Sequence, residues 1–158
     1  MRRRLNEHEI VLGRQVFQRT LPYRAIGVSD ALGLGGRPYT LNYMALEDDD
    51  TYVLHVGPGG FSGMHLSPYW RQTLVHELTH VWQSRNSAWP ASYIFKSIGC
   101  QIARGDNAYA YQPGQAWDSY NVEEQASIVE DWFAQGQPVT GTLYPYIRDN
   151  VRAGKPAK

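Results

Sequence analysis

In the segment TLVHELTHVWQ, residues 73–83, His76 and His80 stand four residues apart, with Glu77 directly after the first. On a helix, side chains at i and i+4 lie one above the other, so both imidazoles can offer a ring nitrogen to one metal ion. Glu77 falls about a quarter-turn further round the axis. From there its carboxylate can take a proton from a water beside the metal without being a ligand itself. The pattern H-E-x-x-H thus implies zinc-assisted hydrolysis, with His76 and His80 as ligands and Glu77 as general base. The plainer alternative is an amphipathic helix carrying two histidines on its polar face.

Such a pair works only on a helix of some length, and the flanks supply one. Ser67 suits the N-cap and Pro68 the first helical position. Leu74, Leu78 and Val81 recur at helical spacing and would face the core, while the histidines on another edge line a cleft. Trp82 widens the apolar side, and Ser84, Asn86 and Pro90 end the pattern, which predicts a helix over 68–84. A first helix is expected over 6–18, burying Ile10, Leu12, Val16 and Phe17 and closed by Pro22. Ile26 and Val28 share one face of a short strand, and residues 31–38 form a glycine-rich loop. Alternating segments 40–46 and 51–56, joined across 47–50, read as a hairpin. The aspartates at 48–50 lack the alternate spacing of a calcium loop and read as a solvated turn. Gly57-Pro58-Gly59-Gly60, without lysine or phosphate-loop spacing, leads into the histidine helix. A further helix is expected over 92–104, with Cys100 a small buried residue near Ile98 and Ile102.

These elements predict an α+β fold with a small antiparallel or mixed sheet. A chain of 158 residues suffices for one domain, expected over 1–152 with a frayed tail at 153–158. Fifteen basic residues balance fifteen acidic ones, which gives no electrostatic reason for nucleic acid or an anionic membrane as partner. No apolar run reaches membrane-spanning length. The basic start at residues 2–4 runs into Asn6, Glu7, His8 and Glu9 where a signal peptide needs an apolar stretch, so synthesis without one, in the cytoplasm, is expected. A single cysteine excludes an internal disulfide and a cysteine-based zinc site.

Catalytic zinc usually takes three protein ligands, and the third must be found. The extended pattern with a third histidine fails, because Gln83 stands where glycine is needed and Asn86 where histidine is needed. His8, His55 and His65 all precede the motif. His55 is expected to point outward from a strand and His65 to sit in a loop, as surface residues or substrate contacts. Downstream carboxylates are the better candidates, and YNVEEQAS, residues 120–127, begins a helix. Asn121 suits the N-cap, and Glu124 would complete a capping box. Glu123 has no such duty, and Ala126 and Ser127 beside it are small enough to let another helix approach. Val122, Ala126, Val129 and Phe133 supply an apolar edge to dock it. Glu123 is the leading third ligand, with Glu124, Asp106 and Asp118 as alternatives, and a solvent-exposed surface glutamate as the plain reading.

The HELTH helix and a later glutamate in an ExxA setting resemble the gluzincin branch of zinc metallopeptidases. VHELTHVWQ, AYAYQPG and YNVEEQASIVEDWF together resemble, more closely, the small zincin domains found with Vgr and Rhs proteins of bacterial type VI secretion. VFQRTLPYRAIGVSD and GGRPYTLN are similar to that group as well, so the resemblance covers most of residues 15–135. It implies a zincin-like fold, one zinc per chain held by His76, His80 and Glu123, and Glu77 as general base. Where many relatives of the wider branch carry an acidic residue four after the ligand glutamate, this chain has Ser127. Support for the zinc histidines must then come from a backbone carbonyl or Asp131.

Zinc in such a setting lowers the pKa of water towards ~7, and Glu77 would take the water's proton and later hand it to the leaving amine. A tyrosine donor to the developing oxyanion would be Tyr111, Tyr120, Tyr144 or Tyr146, since no histidine follows His80. Residues 109–120 are expected to form a loop over the cleft. Two functions are in view. One is a peptidase acting on a peptide or protein substrate, with effector delivery to a target cell and a spike carrier or immunity protein as partners. The other is a non-catalytic zinc-fastened binding or spike-associated module.

Overall fold

The computed structural model describes residues 1–42, 52–86 and 109–155. The helix expected over 92–104, Cys100, Asp106 and the connection at 47–50 lie outside them.

The architecture is α+β. Four short strands, β1 (Arg2–Arg4), β2 (Ile26–Ser29), β3 (Tyr39–Asn42) and β4 (Tyr52–His55), form a sheet in the order β1-β2-β4-β3. β1 runs antiparallel to β2, β2 parallel to β4, and β3 antiparallel to β4, so the sheet is mixed. The expected pairing of the third and fourth strands is present, with Tyr39 opposite His55 and Thr40 opposite Leu54. The two middle strands are buried at every residue, unlike the one-faced strand anticipated at Ile26 and Val28.

Two elements went unread in the sequence. β1 is built from the basic run, whose side chains had suggested only charge. Arg3 forms a two-pronged bond to Glu9, from Nη1 to Oε2 at 2.7 Å and Nη2 to Oε1 at 2.8 Å. Glu9 also accepts from the backbone N–H groups of Asn6 and Met64 and is fully buried. Burial alone would push its carboxyl up, but Arg3 and the two amides hold it below the ordinary carboxylate value. The second element is the short helix α2 (Gly57–Ser62). Its glycines let Trp70 lie against the backbone: a Cβ on Gly60 would meet Trp70 at 2.9 Å.

The long helix α3 (Pro68–Asn86) carries the histidine motif and exceeds its expected span by two residues. α1 (Glu7–Phe17), with an Asn6–Glu9 capping box, crosses it closely: a Cβ on Gly13 would stand 3.0 Å from Leu78 Cδ1. α4 (Val122–Ala134) packs along α3. Ile128 and Trp132 carry more of its burial than the anticipated Val122 and Phe133, which stay partly exposed. A last turn, α5 (Tyr144–Tyr146), runs into a wider turn at Ile147–Val151, where the Val151 carbonyl accepts from Trp82 Nε1 at 3.0 Å. Leu74, Leu78, Val81 and Trp82 are wholly buried, as their spacing predicts. α3 is thereby held by α1, the β3 side of the sheet and α4 together, which fixes the direction of its polar edge.

Candidate metal centre

That polar edge faces α4. His76, His80 and Glu123 each offer one ligand-type atom, and these atoms lie within 4.8 Å of one another. His76 Nε2 and His80 Nε2 both stand 3.3 Å from the same oxygen, Glu123 Oε2. Glu123 is fully buried and the His80 side chain is 5% exposed. Glu124, one residue on, is committed elsewhere: its Oε2 accepts from Asn121 N at 2.8 Å while Asn121 Oδ1 accepts from Glu124 N at 2.9 Å. The local sequence therefore divides two adjacent glutamates between a helix cap and the interior. Asp118 lies exposed in a short turn at Trp117–Ser119 and joins no such cluster.

The other face of each imidazole decides what the cluster can hold. His76 Nδ1 lies 2.9 Å from Glu130 Oε2. An ionised carboxylate only accepts, so Nδ1 carries the hydrogen. His80 Nδ1 lies 2.9 Å from Gln83 Oε1, and the amide nitrogen of Gln83 is spent on the Val122 carbonyl and Gln125 Oε1, both at 2.9 Å. Gln125 Nε2 in turn donates to the Trp117 carbonyl. Both Nδ1 hydrogens are thus given away, and both Nε2 lone pairs converge on a carboxylate oxygen. Three acceptors in one buried place require positive charge, either protons on the imidazoles or one cation shared by all three. Two imidazoles and a carboxylate are a zinc-type donor set, so the residues fit that metal.

The electrostatics agree. Burial disfavours charge on His76, but Glu123 and Glu130 outweigh it and raise the imidazolium to about 10. His80 is raised against burial by Glu123. Glu123, which burial would push up, is held far below the carboxylate range chiefly by His80 and His76.

Glu77 does not join the cluster. Its carboxylate is almost buried and accepts from Thr40 Oγ1, in the edge strand β3, at 2.6 Å to Oε2. Half-buried Tyr109 brings a hydroxyl-bearing ring to 5.9 Å from that of His76. Burial and the charge of Glu123 push that hydroxyl up, with Arg37 opposing. The start of the 109–120 segment therefore does lie at His76.

Several expectations need correction. Asp131 does not support a histidine; it accepts from Tyr111 at 2.7 Å, and Glu130 stands at His76 instead. The four tyrosines considered as oxyanion donors are engaged in packing. Tyr120 and Tyr146 bond to the Gln112 and Gln115 carbonyls and Tyr144 stacks on Trp132. His55 is buried, not outward, and stacks on Tyr39 at 4.3 Å. His65 stacks on His8 at 4.7 Å, in a groove that none of His76, His80 and Glu123 lines. Glu130 was within reach of sequence reasoning, since it follows Glu123 by two helical turns and shares its face. Gln83, three after His80, was read only as a break in a longer motif. Thr40 and Tyr109 reach the site through tertiary packing and left no local sign.

Fold and site together define an α+β domain with a mixed four-stranded sheet and a histidine–carboxylate cluster clamped between two helices. No family model matches the chain. Its sequence is 30% identical over 143 residues to the type VI secretion system spike protein VgrG2b of Pseudomonas aeruginosa, covering 84% of this chain and 13% of that protein. The chain thus spans only a small part of that relative. The effector domain of Pseudomonas aeruginosa VgrG2b shares the fold, with a TM-score of 0.62 and 24% identity over 94% of this chain and 83% of that one. Among the described residues no helix is long and apolar enough to cross a membrane.

Proposed function

We propose that the chain is a zinc-dependent metallopeptidase with a zincin-like fold over residues 1–152, acting as an effector of type VI secretion. The observation that carries the chemistry is the pair of histidines whose Nδ1 hydrogens are spent on Glu130 and Gln83, leaving both Nε2 atoms facing Glu123. His76, His80 and Glu123 would hold one zinc ion. When bound, zinc supplies Lewis-acid polarisation of a scissile carbonyl and makes a water nucleophilic at neutral pH.

The chain's own residues do the rest. Thr40 holds Oε2 of Glu77, which assigns proton transfer to Oε1. Glu77 takes one proton from the attacking water, whose oxygen bonds to the carbonyl carbon. As the C–N bond breaks, Glu77 delivers that proton to the departing amine. Burial of Glu77 and of the cluster keeps bulk water from competing for these protons. The likeness to the VgrG2b effector domain supports delivery to a target cell with a spike protein as carrier; an immunity protein would be a further partner.

The deciding experiment is Glu77→Ala. Zinc content and thermal unfolding should stay near wild type, because Glu77 faces Thr40 and not the cluster. Peptide hydrolysis, or toxicity on expression in the cytoplasm or periplasm, should fall ~100-fold or more. Equal hydrolysis or toxicity in both proteins would sink the enzyme reading and favour a binding module in which zinc only fastens α3 to α4.

A further inference from the structure

A single buried amide reaches two of the three donors from behind. Gln83 lies three residues after His80 on α3 and is wholly buried. Its Oε1 accepts from His80 Nδ1, and its Nε2 donates to the Val122 carbonyl and to Gln125 Oε1, each at 2.9 Å. Val122 opens α4 and directly precedes Glu123. Gln125 Nε2 goes on to the Trp117 carbonyl at 2.9 Å, in the turn that leads into α4. Main-chain carbonyls fix the sense of this relay at two points, because a carbonyl only accepts. Gln125 must turn its nitrogen to Trp117 and its oxygen to Gln83; Gln83 must turn its nitrogen to Val122 and its oxygen to His80.

Glu123 needs such a hold. It is the second residue of α4, in the turn where helices fray. The bond from Asn121 Oδ1 to its backbone N–H, 2.9 Å, ties it only to its own helix. The bond from Gln83 ties the same turn across to α3, one residue away from Glu123.

We propose that Gln83 is a positioning residue, a clasp that sets the spacing between His80 and Glu123, two zinc donors on different helices. The assignment rests on the zinc reading of the same site and adds what holds its donors in place. It also accounts for glutamine at this position. The place asks for one acceptor and two donor hydrogens on one planar group. A carboxylate would keep the acceptor for His80 but set its other oxygen against the Val122 carbonyl and Gln125 Oε1. Methionine has a similar length and fills the space without donating to either.

The test compares wild type, Gln83→Met and Gln83→Glu as full chains. Zinc affinity is measured by competition with a chromophoric chelator. Cobalt(II) loaded in place of zinc reports donor geometry through its visible absorption bands, and thermal unfolding is followed with and without zinc. Gln83→Met should lose ~10–100-fold in zinc affinity, the usual scale for the outer partner of a metal-binding histidine, with altered cobalt bands. The rise in Tm that zinc confers should shrink with it. Gln83→Glu should also lose ~10-fold, which separates a clasp from simple support of His80, since a carboxylate accepts from Nδ1 as well as an amide does. Wild-type affinity in either variant overturns the proposal. Should neither variant fold, side-chain hydrogen exchange in the zinc-loaded wild type decides. Both Gln83 Nε2 hydrogens should exchange far more slowly than those of an exposed glutamine, and exchange at the free rate overturns the clasp. A wild-type chain that takes no zinc removes the zinc reading itself, whereas a zinc-binding wild type with unaffected variants removes only the clasp.

Discussion

Glu130→Ala probes the orientation of the donor set without touching a proposed ligand. The perturbed contact is His76 Nδ1 to Glu130 Oε2, 2.9 Å, with the Glu130 side chain 29% exposed and that of His76 13%. Deleting the outer partner of a zinc-binding histidine typically costs ~10–100-fold in metal affinity, because ring orientation and nitrogen basicity both suffer. Water can replace part of the lost interaction on the exposed, Glu130 side of His76, which places the effect near the lower end, ~10-fold or about 1.4 kcal/mol. Glu130→Gln should fall between wild type and alanine, since an amide oxygen still accepts from Nδ1 but carries no charge. Asp131→Ala is the control, because that carboxylate serves Tyr111 and should leave zinc untouched. Competition against a chromophoric chelator at fixed pH measures all four proteins, with thermal unfolding to confirm an intact fold. Unchanged affinity in Glu130→Ala, or equal weakening in Asp131→Ala, would refute the reasoning.

Glu123→Ala should lower zinc occupancy far more than Glu124→Ala, whereas Glu124→Ala should cost about 1 kcal/mol of stability through the lost cap. Metal analysis with denaturant unfolding separates the two, and a reversed order would discard Glu123 as ligand. Glu9→Gln should cost about 3 kcal/mol at neutral pH, because Arg3 loses its buried partner. Since folding depresses the Glu9 carboxyl below its ordinary value of 4.5, this stability is present above that pH and fades as pH falls below it through the folded value. Unfolding curves of wild type and variant should therefore draw together in acid, and a gap that persists at pH ~2 would contradict the linkage.

The helices were the most legible part of the fold. α3 announces itself through Ser67-Pro68 and its buried leucines, and α4 through the Asn121–Glu124 box; both rest on contacts within a few residues. The same box separated Glu123 from Glu124, because a capping glutamate is occupied where it stands. β1 was hidden because Arg2–Arg4 has no apolar alternation: as an edge strand it needs backbone pairing to β2 and one buried arginine partner, Glu9. α2 was hidden because glycine disfavours helix intrinsically, and Trp70, ten residues on from Gly60, supplies the packing that overrides it. His55 was misplaced because alternation assumes one wet face, and β4 is covered on both. Thr40 lies far before the motif in the chain, in an edge strand whose course depends on pairing with β4.

The contact between Thr40 and Glu77 gives the pairing of β3 with β4 a chemical reading. Neighbouring residues on a strand face opposite ways, so a shift of one position would turn Tyr39 or Leu41 towards α3 where Thr40 now stands. Neither side chain sets a short hydroxyl donor at 2.6 Å from Oε2. The alignment is pinned by the stack of Tyr39 on His55, the pair directly opposed in the ladder. A chain paired one step out could keep its cluster between α3 and α4 and still carry a base aimed wrongly. If the chain is the hydrolase proposed, His55, which takes no part in the cluster, would act as an indexing pin, its stack on Tyr39 favouring the one notch of the strand that sets Thr40 against Glu77.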